Sequence, residues 1–258
     1  MFITYYDLSC DIIRLVLKAG RDYDFIYGIP RAGLLPAIMY SSITGIPILT
    51  DAGKISTSGK VIILDDSWNN GNTMQQYIDK YGMQNISYGV VYGRSKTPGN
   101  IYQAKAIDKG RLFEWEMFTS RRVSWDIDGL MCPDVPKHFD YYAQYLVNAP
   151  LMYAPGVKIK CIITSRFEAY RDITEKWLEK NNIKYDHLIM SQRKDRNERK
   201  KYGAKDKADA CKKYGVKYFL ESSDRAAAAI SAYGITTISI RTRNIYKKGV
   251  VINNGKQK

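Results

Sequence analysis

Short, uniformly apolar runs recur along the chain, and each ends in polar or glycine residues. The clearest is residues 61–64, Val-Ile-Ile-Leu, which leads directly into two acids and a polar loop. A run of this kind, bounded by turn-forming residues, predicts a buried strand of an α/β sheet. Comparable runs predict further strands at residues 24–28, 46–49, 86–92, 160–164, 185–190 and 216–221.

Between these runs, apolar residues return at helical intervals. Positions 8, 12, 15 and 16 are apolar, which predicts a first helix within residues 3–18 with Asp7 or Ser9 as its N-cap. Strands that alternate with helices in this way are typical of parallel sheets covered by helices. The sequence therefore predicts an α/β protein built from doubly wound parallel sheets.

The loop after residues 61–64 has the composition of a phosphate site. Gly71 allows a ligand to approach the backbone closely, and the helix that begins at Thr73 adds partial positive charge at its N-terminus. Asp65 and Asp66, at the carboxyl end of the strand, can accept hydrogen bonds from a ribose diol. The segment therefore predicts a site for a sugar phosphate.

A second strand, loop and helix of the same kind lies upstream, at residues 24–40. Its loop, GIPRAG, carries Arg31, whose planar guanidinium suits two phosphate oxygens. Gly28 and Gly33 permit close approach of the backbone. The segment is therefore a second candidate anion site.

The two loops resemble the pyrophosphate and ribose-phosphate loops of type I phosphoribosyltransferases, in the chain order of that family. The resemblance implies a domain that binds phosphoribosyl pyrophosphate and transfers ribose 5-phosphate to a nucleobase-like acceptor. Its implied phosphoribosyl pyrophosphate contacts are Arg31, Ala32, Gly33, Asp65, Asp66, Ser67, Asn69, Asn70, Gly71, Asn72 and Thr73.

The segment after residues 86–92 is similar to that of purine-type members, which implies that Lys96 meets the base and that Trp115 covers it. Glu114 stands where those members have Pro. The connection at residues 50–59, which carries a flexible closing loop in the family, is short here. Lys54 is its one candidate for a closing cation. An aromatic residue packed at a domain junction is the alternative interpretation of Trp115.

The second half of the chain places acids at two strand ends. Asp126 and Asp128 are two residues apart where a strand gives way to a loop, so both carboxylates can reach one ion and one substrate. Thr164 ends the next strand, and Glu221 and Asp224 follow a later one. These positions predict a site for an ion and a substrate at the carboxyl ends of the strands.

These segments, with the basic segment at Lys207, resemble the four motifs of the haloacid dehalogenase superfamily in their order. The resemblance implies an attacking carboxylate at Asp126, a general acid and base at Asp128, and phosphoryl contacts from Thr164 and Lys207. It also implies Mg²⁺ as cofactor. The implied metal ligands are Asp126, Asp128, Glu221 and Asp224.

The spacing of these motifs limits what else the second half can hold. Residues 129–157 have room for one helix, around residues 139–146, and none for a separate lid domain, so the resemblance is to a capless member. Lys207 falls at the start of a predicted helix, and the basic run at residues 193–201 is interpreted as a solvated connecting segment. The predicted domains are residues 1–118 and 119–258.

Composition adds a question about partners. The 258 residues carry a net charge of +14, which attracts phosphorylated small molecules and nucleic acid alike. No apolar run is long enough for a membrane span and no signal peptide is evident, so we expect a cytoplasmic protein with no membrane partner. The cysteines lack the paired spacing of a disulfide frame or zinc site. They are Cys10, Cys132, Cys161 and Cys211.

Three functions follow from these features. The first is a bifunctional enzyme whose phosphatase domain hydrolyses a phosphate monoester and removes phosphate from the nucleotide that the transferase domain makes. The second is a nucleic-acid-binding protein that senses phosphoribosyl pyrophosphate or a nucleotide. The third is a phosphatase acting on nucleic-acid ends or on a phosphoprotein, with an inactive transferase domain. Steep salt dependence of nucleic-acid binding would favour the second, and turnover of small nucleotides the first.

Overall fold

A computed structural model describes residues 1–108, 110–135 and 142–252. The chain divides into two compact units, Met1–Trp115 and Glu116–Lys258. The sequence placed the domain boundary after residue 118. Both units have the predicted α/β class, with parallel strands at the centre of each sheet.

The first unit is built on a four-stranded parallel sheet with the order β2-β3-β4-β5. A separate parallel pair joins β1 to β6. The strands are β1 (Phe2–Ile3), β2 (Phe25–Gly28), β3 (Val61–Ser67), β4 (Ile86–Gly93), β5 (Ile101–Ala106) and β6 (Leu112–Phe113), and the helices are α1 (Tyr5–Ala19), α2 (Leu34–Thr44) and α3 (Asn72–Tyr81).

The order of chain segments reverses between β2 and β3. After β2, the chain returns on one side of that strand, where Ile48 forms a single parallel bridge with Ile26. It then crosses to the other side of β2 to form β3. In open parallel sheets, ligands bind outside the carboxyl ends of the strands at such a switch point. The loops that follow β2 and β3 meet there.

Both faces of this sheet are covered. One apolar cluster joins α1 and α2 to the sheet and includes Leu8, Leu15 and Ile62, and a second lies under α3 and includes Met74 and Ile63. Residues 61–64 of β3 are fully buried, as a strand covered on both faces must be. Each buried Ile or Leu side chain contributes about 1.5–3 kcal/mol through removal from water.

The second unit contains a seven-stranded sheet with the order β13-β12-β11-β10-β7-β8-β9. The five strands from β11 to β9 are parallel, and β12 and β13 add an antiparallel edge. The strands are β7 (Val123–Trp125), β8 (Ile159–Phe167), β9 (Tyr185–Ser191), β10 (Tyr218–Glu221), β11 (Thr236–Ser239), β12 (Ile245–Lys247) and β13 (Val250–Ile252), and the helices are α4 (Tyr142–Asn148), α5 (Arg171–Lys180), α6 (Arg196–Lys213) and α7 (Asp224–Ser231).

This sheet also has a switch point, between β7 and β10. The chain runs from β7 outward through β8 and β9, then returns to the other side of β7 as β10 and continues outward to β11. Trp125 of β7 is paired with Ile162 of β8 and with Leu220 of β10. The next residues of these three strands therefore lie side by side at the carboxyl edge.

Two local predictions in the first unit need correction. Helix α1 is capped by Thr4, whose hydroxyl accepts from the Asp7 backbone N–H while the Asp7 carboxylate accepts from the Thr4 backbone N–H. This reciprocal capping box starts the helix earlier than a cap at Asp7 or Ser9 would. The strand predicted at residues 46–49 is reduced to the single bridge at Ile48.

The predictions around the basic run also need correction. Helix α6 begins at Arg196 and not near Lys207, so most of the predicted connecting segment is helical. Asp195 is its N-cap and accepts from the backbone N–H groups of Asn197 and Glu198. The helix predicted around residues 139–146 is α4, and residues 136–141 lie outside the described residues. Within the described residues, none of the helices has the length and apolar character needed to cross a membrane.

Candidate functional sites

Three charged side chains meet at the carboxyl edge of the second sheet. Asp126 follows β7, Glu221 ends β10, and Lys207 reaches them from α6. The Lys207 ammonium donates to Asp126 Oδ2 at 2.6 Å and to Glu221 Oε2 at 2.9 Å. The side chains are only 8%, 7% and 3% exposed for Lys207, Asp126 and Glu221, so their charges interact in a largely water-free setting.

The electrostatics of this cluster follow from two carboxylates that share one cation. The pKa of Asp126 is raised to about 7, chiefly by burial and next by the Glu221 charge, while Lys207 opposes both. Burial lowers the pKa of Lys207, but the attraction of the two carboxylates outweighs it and the net shift is upward. Lys207 is therefore a fixed positive charge beside a carboxylate that is poorly solvated.

Asp128, the second acid of the pair, is held by an arginine. Arg166 Nη2 donates to Asp128 Oδ1 at 2.7 Å and Arg166 Nε donates to both carboxylate oxygens at 3.1 and 3.2 Å. Arg166 is fully buried, and its guanidinium lies over the Trp177 ring. The Thr164 hydroxyl accepts from the Arg166 backbone N–H at 3.2 Å. Arg166 thus fixes the orientation of Asp128 beside the strand end that carries Thr164.

A tight turn places Asp128 next to the end of β10. Three successive backbone N–H groups, at residues 130, 131 and 132, donate to the Ile127 carbonyl. Gly129 has φ +75°, and a Cβ there would lie 2.6 Å from Ser222 Cβ. Only glycine combines this conformation with such close approach.

The resemblance implied Mg²⁺ held by the Asp126 and Asp224 carboxylates and the Asp128 backbone carbonyl, with Glu221 nearby; of these carboxylates, Asp126 and Glu221 lie together on Lys207. The Asp224 carboxylate accepts from Thr242 and Tyr246, each at 2.5 Å, and Asp128 is paired with Arg166. Across the described ranges, no group of three His, Cys, Asp or Glu side chains is placed to hold a metal ion. Mg²⁺ therefore stays a prediction from the resemblance, with Asp126 and Glu221 as the two carboxylates that lie together.

In the first unit, the loops after β2 and β3 lie against each other. The Ile29 backbone N–H donates to the Leu64 carbonyl at 2.9 Å. A Cβ on Gly33 would lie 2.4 Å from the same carbonyl oxygen, so glycine is required for this contact. Arg31 is exposed in the turn before α2, and Ala32 follows it. The pyrophosphate-loop residues therefore adjoin the strand that carries the two acids.

The two acids of β3 differ in what they can do. Asp66 is buried, and its Oδ2 accepts from Trp115 Nε1 at 2.7 Å. Burial raises the pKa of Asp66, and the Trp115 hydrogen bond opposes that shift. Asp65 is half-buried and its Oδ1 accepts from the Asp66 backbone N–H. The Trp115 ring stacks on Phe113 at a centroid distance of 4.7 Å, so its observed contacts lie within the unit.

The ribose-phosphate loop runs from Ser67, the last residue of β3, to the start of α3. Gly71 has φ +83°, and a Cβ there would lie 2.2 Å from the Trp68 ring. Asn70 Oδ1 accepts from the Asn72 backbone N–H at 3.2 Å, and Thr73 is exposed in the first turn of α3. The backbone N–H groups at this helix start are the predicted anion site.

Two arginines that the sequence did not single out support this loop. Arg94 Nη2 donates to Asn69 Oδ1, which ties the exit of β4 to the loop. Arg111 is buried, and its Nη2 donates to the Trp68 carbonyl at 2.7 Å. Lys96, the predicted base contact, is exposed beyond Arg94. No local pattern marks Arg111, because its contact with this loop, at Trp68, spans 43 residues of the chain.

In the second unit, the residue that sequence reasoning missed is Arg166. A signal for it was present: Thr164 and Arg166 are two apart in a strand, a spacing that places side chains on one face. The irregularity of β8 between Ile163 and Phe167 modifies that spacing. From this spacing, the Arg166 side chain could have been expected on the face of β8 that carries Thr164.

Fold and site together define an α/β protein with two separate units, each carrying polar groups at the switch point of a parallel sheet. No protein-family model matches the chain, and no curated protein matches it in sequence. Among solved structures, it is similar to a purine phosphoribosyltransferase from Pyrococcus horikoshii Ot3, with 26% identity over 45% of this chain and 92% of that chain and a TM-score of 0.38.

Two further structures are similar at lower identity. The Helicobacter pylori xanthine-guanine-hypoxanthine phosphoribosyltransferase is 13% identical over 45% of this chain and 94% of that chain, with a TM-score of 0.37. A chain of the Pnkp1/Rnl/Hen1 RNA repair complex is 14% identical over 93% of this chain and 94% of that chain, with a TM-score of 0.38. The phosphoribosyltransferase likenesses thus cover a little under half of the chain.

Proposed function

We propose that the second unit hydrolyses phosphate monoesters with Asp126 as the nucleophile. The observation that carries this proposal is the buried contact of Asp126, Lys207 and Glu221 at the switch point of the sheet. A strongly perturbed carboxyl group in such a place is typical of functional sites. A second acid, Asp128, is held in a fixed orientation by its ion pair with Arg166.

In the proposed reaction, an Asp126 carboxylate oxygen attacks phosphorus, and the bond between phosphorus and the ester oxygen breaks as the new O–P bond forms. Asp128 must carry a proton when the ester is bound; it gives this proton to the leaving oxygen. It then takes a proton from the water that attacks phosphorus, and the bond between phosphorus and Asp126 breaks to release phosphate. Lys207 orients Asp126 and offers positive charge to the phosphoryl oxygens. Mg²⁺ stays a prediction, and no step is assigned to it.

The test is hydrolysis of p-nitrophenyl phosphate by the full chain, with Mg²⁺ and with a chelator. Asp126→Asn keeps the shape of the side chain and removes its nucleophilicity, so we expect turnover to fall by about three orders of magnitude or more. Asp172→Asn, at an exposed position of α5, is the matched control and should leave turnover unchanged. Phosphatase activity retained in Asp126→Asn would assign the nucleophile elsewhere.

For the first unit, we propose binding of phosphoribosyl pyrophosphate and transfer of ribose 5-phosphate to a nucleobase-like acceptor. The support is the meeting of the two glycine-containing loops beside Asp65 at the switch point. The test incubates the chain with phosphoribosyl pyrophosphate, Mg²⁺ and a panel of bases, and follows pyrophosphate and nucleotide by mass spectrometry. Asp65→Asn should weaken binding, while Asp79→Asn, exposed near the end of α3, should not.

The hydrogen bond from Trp115 to Asp66 favours a second candidate for the first unit, a ligand-binding domain without transfer. It occupies one of the two acids predicted to hold the ribose diol. Binding of phosphoribosyl pyrophosphate with no pyrophosphate released in the presence of any base would select this candidate. Nucleoside formed from base and phosphoribosyl pyrophosphate would instead show that transfer and dephosphorylation occur in sequence.

A further inference from the structure

Helix α6 carries more than Lys207. In a helix, positions 4, 7, 8 and 11 residues before Lys207 lie on the same face as that lysine. These positions are Gly203, Lys200, Arg199 and Arg196. At 1.5 Å per residue, the face extends about 16 Å from the Asp126 cluster toward the helix N-terminus. It joins the proposed phosphatase site to a row of cations.

The charges of this row are not neutralised by neighbouring acids. In the part of the chain that the structure describes, Arg196, Arg199 and Lys200 form no salt bridge, whereas Arg193 and Lys205 on the flanks pair with Asp206 and Asp209. Arg196 and Lys200 are exposed, and Arg199 is partly exposed. Such a row attracts a polyanion, and it offers several phosphate contacts in succession.

The row meets the phosphatase site at the end of β8. Arg199 Nη1 donates to the Ser165 carbonyl at 3.3 Å, and Ser165 directly follows Thr164. The Arg199 guanidinium lies over the Phe167 ring, 5.0 Å from its centroid. Gly203, between Arg199 and Lys207, has no side chain to fill the space beside Ser165. An extended substrate can therefore pass from the Asp126 cluster to the cations along this face.

Aromatic rings border the same place. Tyr142 and Tyr170 are partly exposed and meet edge to face, with centroids 4.9 Å apart. Burial and then the Asp128 charge raise the pKa of Tyr142 to about 12, with Arg166 and Arg199 opposing. Partly exposed rings beside a basic groove are the surface on which single-stranded nucleic acids stack their bases.

We propose that the second unit acts on the terminal phosphate of a single-stranded nucleic acid. The terminal phosphate occupies the Asp126 site, the adjoining backbone follows Arg199, Lys200 and Arg196 along α6, and the terminal base stacks near Tyr142 and Tyr170. This substrate assignment rests on the proposed phosphatase function. Between β7 and β8, the described residues form the helix α4 and no separate lid domain, and a site without a lid admits a chain.

The test compares kcat/KM of the full chain on a phosphorylated mononucleotide and on single-stranded oligonucleotides of about four and about eight residues. RNA and DNA carrying the phosphate at the 5′ or the 3′ end are separate arms, because the terminal phosphate monoester is common to all four. We expect kcat/KM to rise at least about tenfold from the mononucleotide to the longer chains in one or more arms. The gain should shrink as salt rises.

Arg196→Ala with Lys200→Ala removes two cations of the row. For the preferred oligonucleotide, the slope of log kcat/KM against log salt should become shallower by about 1.4, since each single-strand phosphate contact contributes about 0.7. Lys212→Ala with Lys213→Ala removes equal charge at the other end of α6 and should change the slope little. Turnover of p-nitrophenyl phosphate by each variant reports whether the site is folded.

Two failures are distinguishable. If p-nitrophenyl phosphate is hydrolysed but oligonucleotides are no better than the mononucleotide, or a phosphopeptide is better than either, the substrate assignment is overturned and the phosphatase stands. If no ester is hydrolysed, the phosphatase fails, and fluorescence anisotropy of a labelled phosphorylated oligonucleotide with the Asp126→Asn chain still decides the surface. Equal loss of affinity for the labelled oligonucleotide in the two double variants would then reject the cationic row of α6 as its binding surface.

Discussion

Replacing Lys207 with Met tests whether the buried charge cluster is held together as described. The substitution removes two charged hydrogen bonds, at 2.6 and 2.9 Å, and leaves the Asp126 and Glu221 carboxylates buried without their cation. Met keeps most of the apolar contact, including that with the Phe219 ring, 5.6 Å from the ammonium. Removing one partner of a buried ion pair costs about 3–5 kcal/mol, so we expect the second unit to lose that much stability.

A double-mutant cycle identifies the cause. Glu221→Gln removes one of the two carboxylates, so Lys207→Met with Glu221→Gln should be less destabilised than the sum of the single variants, by about 1–3 kcal/mol. Lys212→Met, at an exposed position of the same helix, is the control for helix propensity. Urea unfolding followed by hydrogen exchange in peptides of β7 and β10 reports on this unit alone. A loss below about 1 kcal/mol for Lys207→Met, or a double variant worse than the sum, would refute the reasoning.

Two other substitutions test single contacts. Trp115→Phe keeps the stacking of the aromatic rings but removes the hydrogen-bond donor to Asp66. Burial raises the pKa of Asp66 and this hydrogen bond lowers it, so the pKa of Asp66 should rise further in the variant. A raised carboxyl pKa makes stability fall as pH rises from the unfolded value of about 3.9 through the folded one, so the variant should lose about 1.5–3 kcal/mol at pH 7 and less at pH 4. Carboxyl NMR titration and urea unfolding measure both, and an unchanged pKa would contradict the bond. Arg166→Lys keeps the charge but not the paired hydrogen bonds to Asp128, so kcat should fall about tenfold or more on an alkyl phosphate, whose leaving group needs a proton, and less on p-nitrophenyl phosphate. Equal losses on both esters would mean that Arg166 has only a structural role.

The parallel strands were the most predictable part of the fold. A strand covered on both faces must be apolar at every position, and residues 61–64 are apolar at all four positions and buried. By contrast, β1 pairs two residues near the N-terminus with Leu112 and Phe113. Pairing between residues so far apart in the chain cannot be recognised from the local sequence pattern. The cap of α1 was present in the sequence as Thr4 with Asp7 three residues later, but the acid was assigned to the wrong position of the capping box.

Helix α6 shows where residue type misled. Its first two turns are almost entirely charged, so the expected apolar stripe is missing and the segment resembled a solvated connection. The helix is nevertheless specified locally, by Asp195 as N-cap and Glu198 three residues later, a signal that charge density obscured. Only the fold shows that this helix carries Lys207 and the cationic row on one face.

The candidate sites divide in the same way. Asp126 and Glu221 lie at the ends of neighbouring strands, as their positions after apolar runs indicated. Asp224 could not be placed from sequence, because its carboxylate is bound by Thr242 and Tyr246 from beyond the next strand. The pairing of Asp128 with Arg166 likewise depends on two strands being adjacent in the sheet. The sequence located these acidic residues, but their hydrogen-bonding partners could be identified only from the fold.

The central claim is that Asp126 attacks phosphorus, and trapping the covalent intermediate tests it most directly. The full chain is mixed with p-nitrophenyl phosphate, quenched early in turnover and treated with borohydride, which reduces an aspartyl phosphate to homoserine. Peptide mass spectrometry then locates the reduced residue. We predict homoserine at position 126, only when substrate is present. Phosphate release with no reduced residue at position 126, or with one at another acid, would contradict the account.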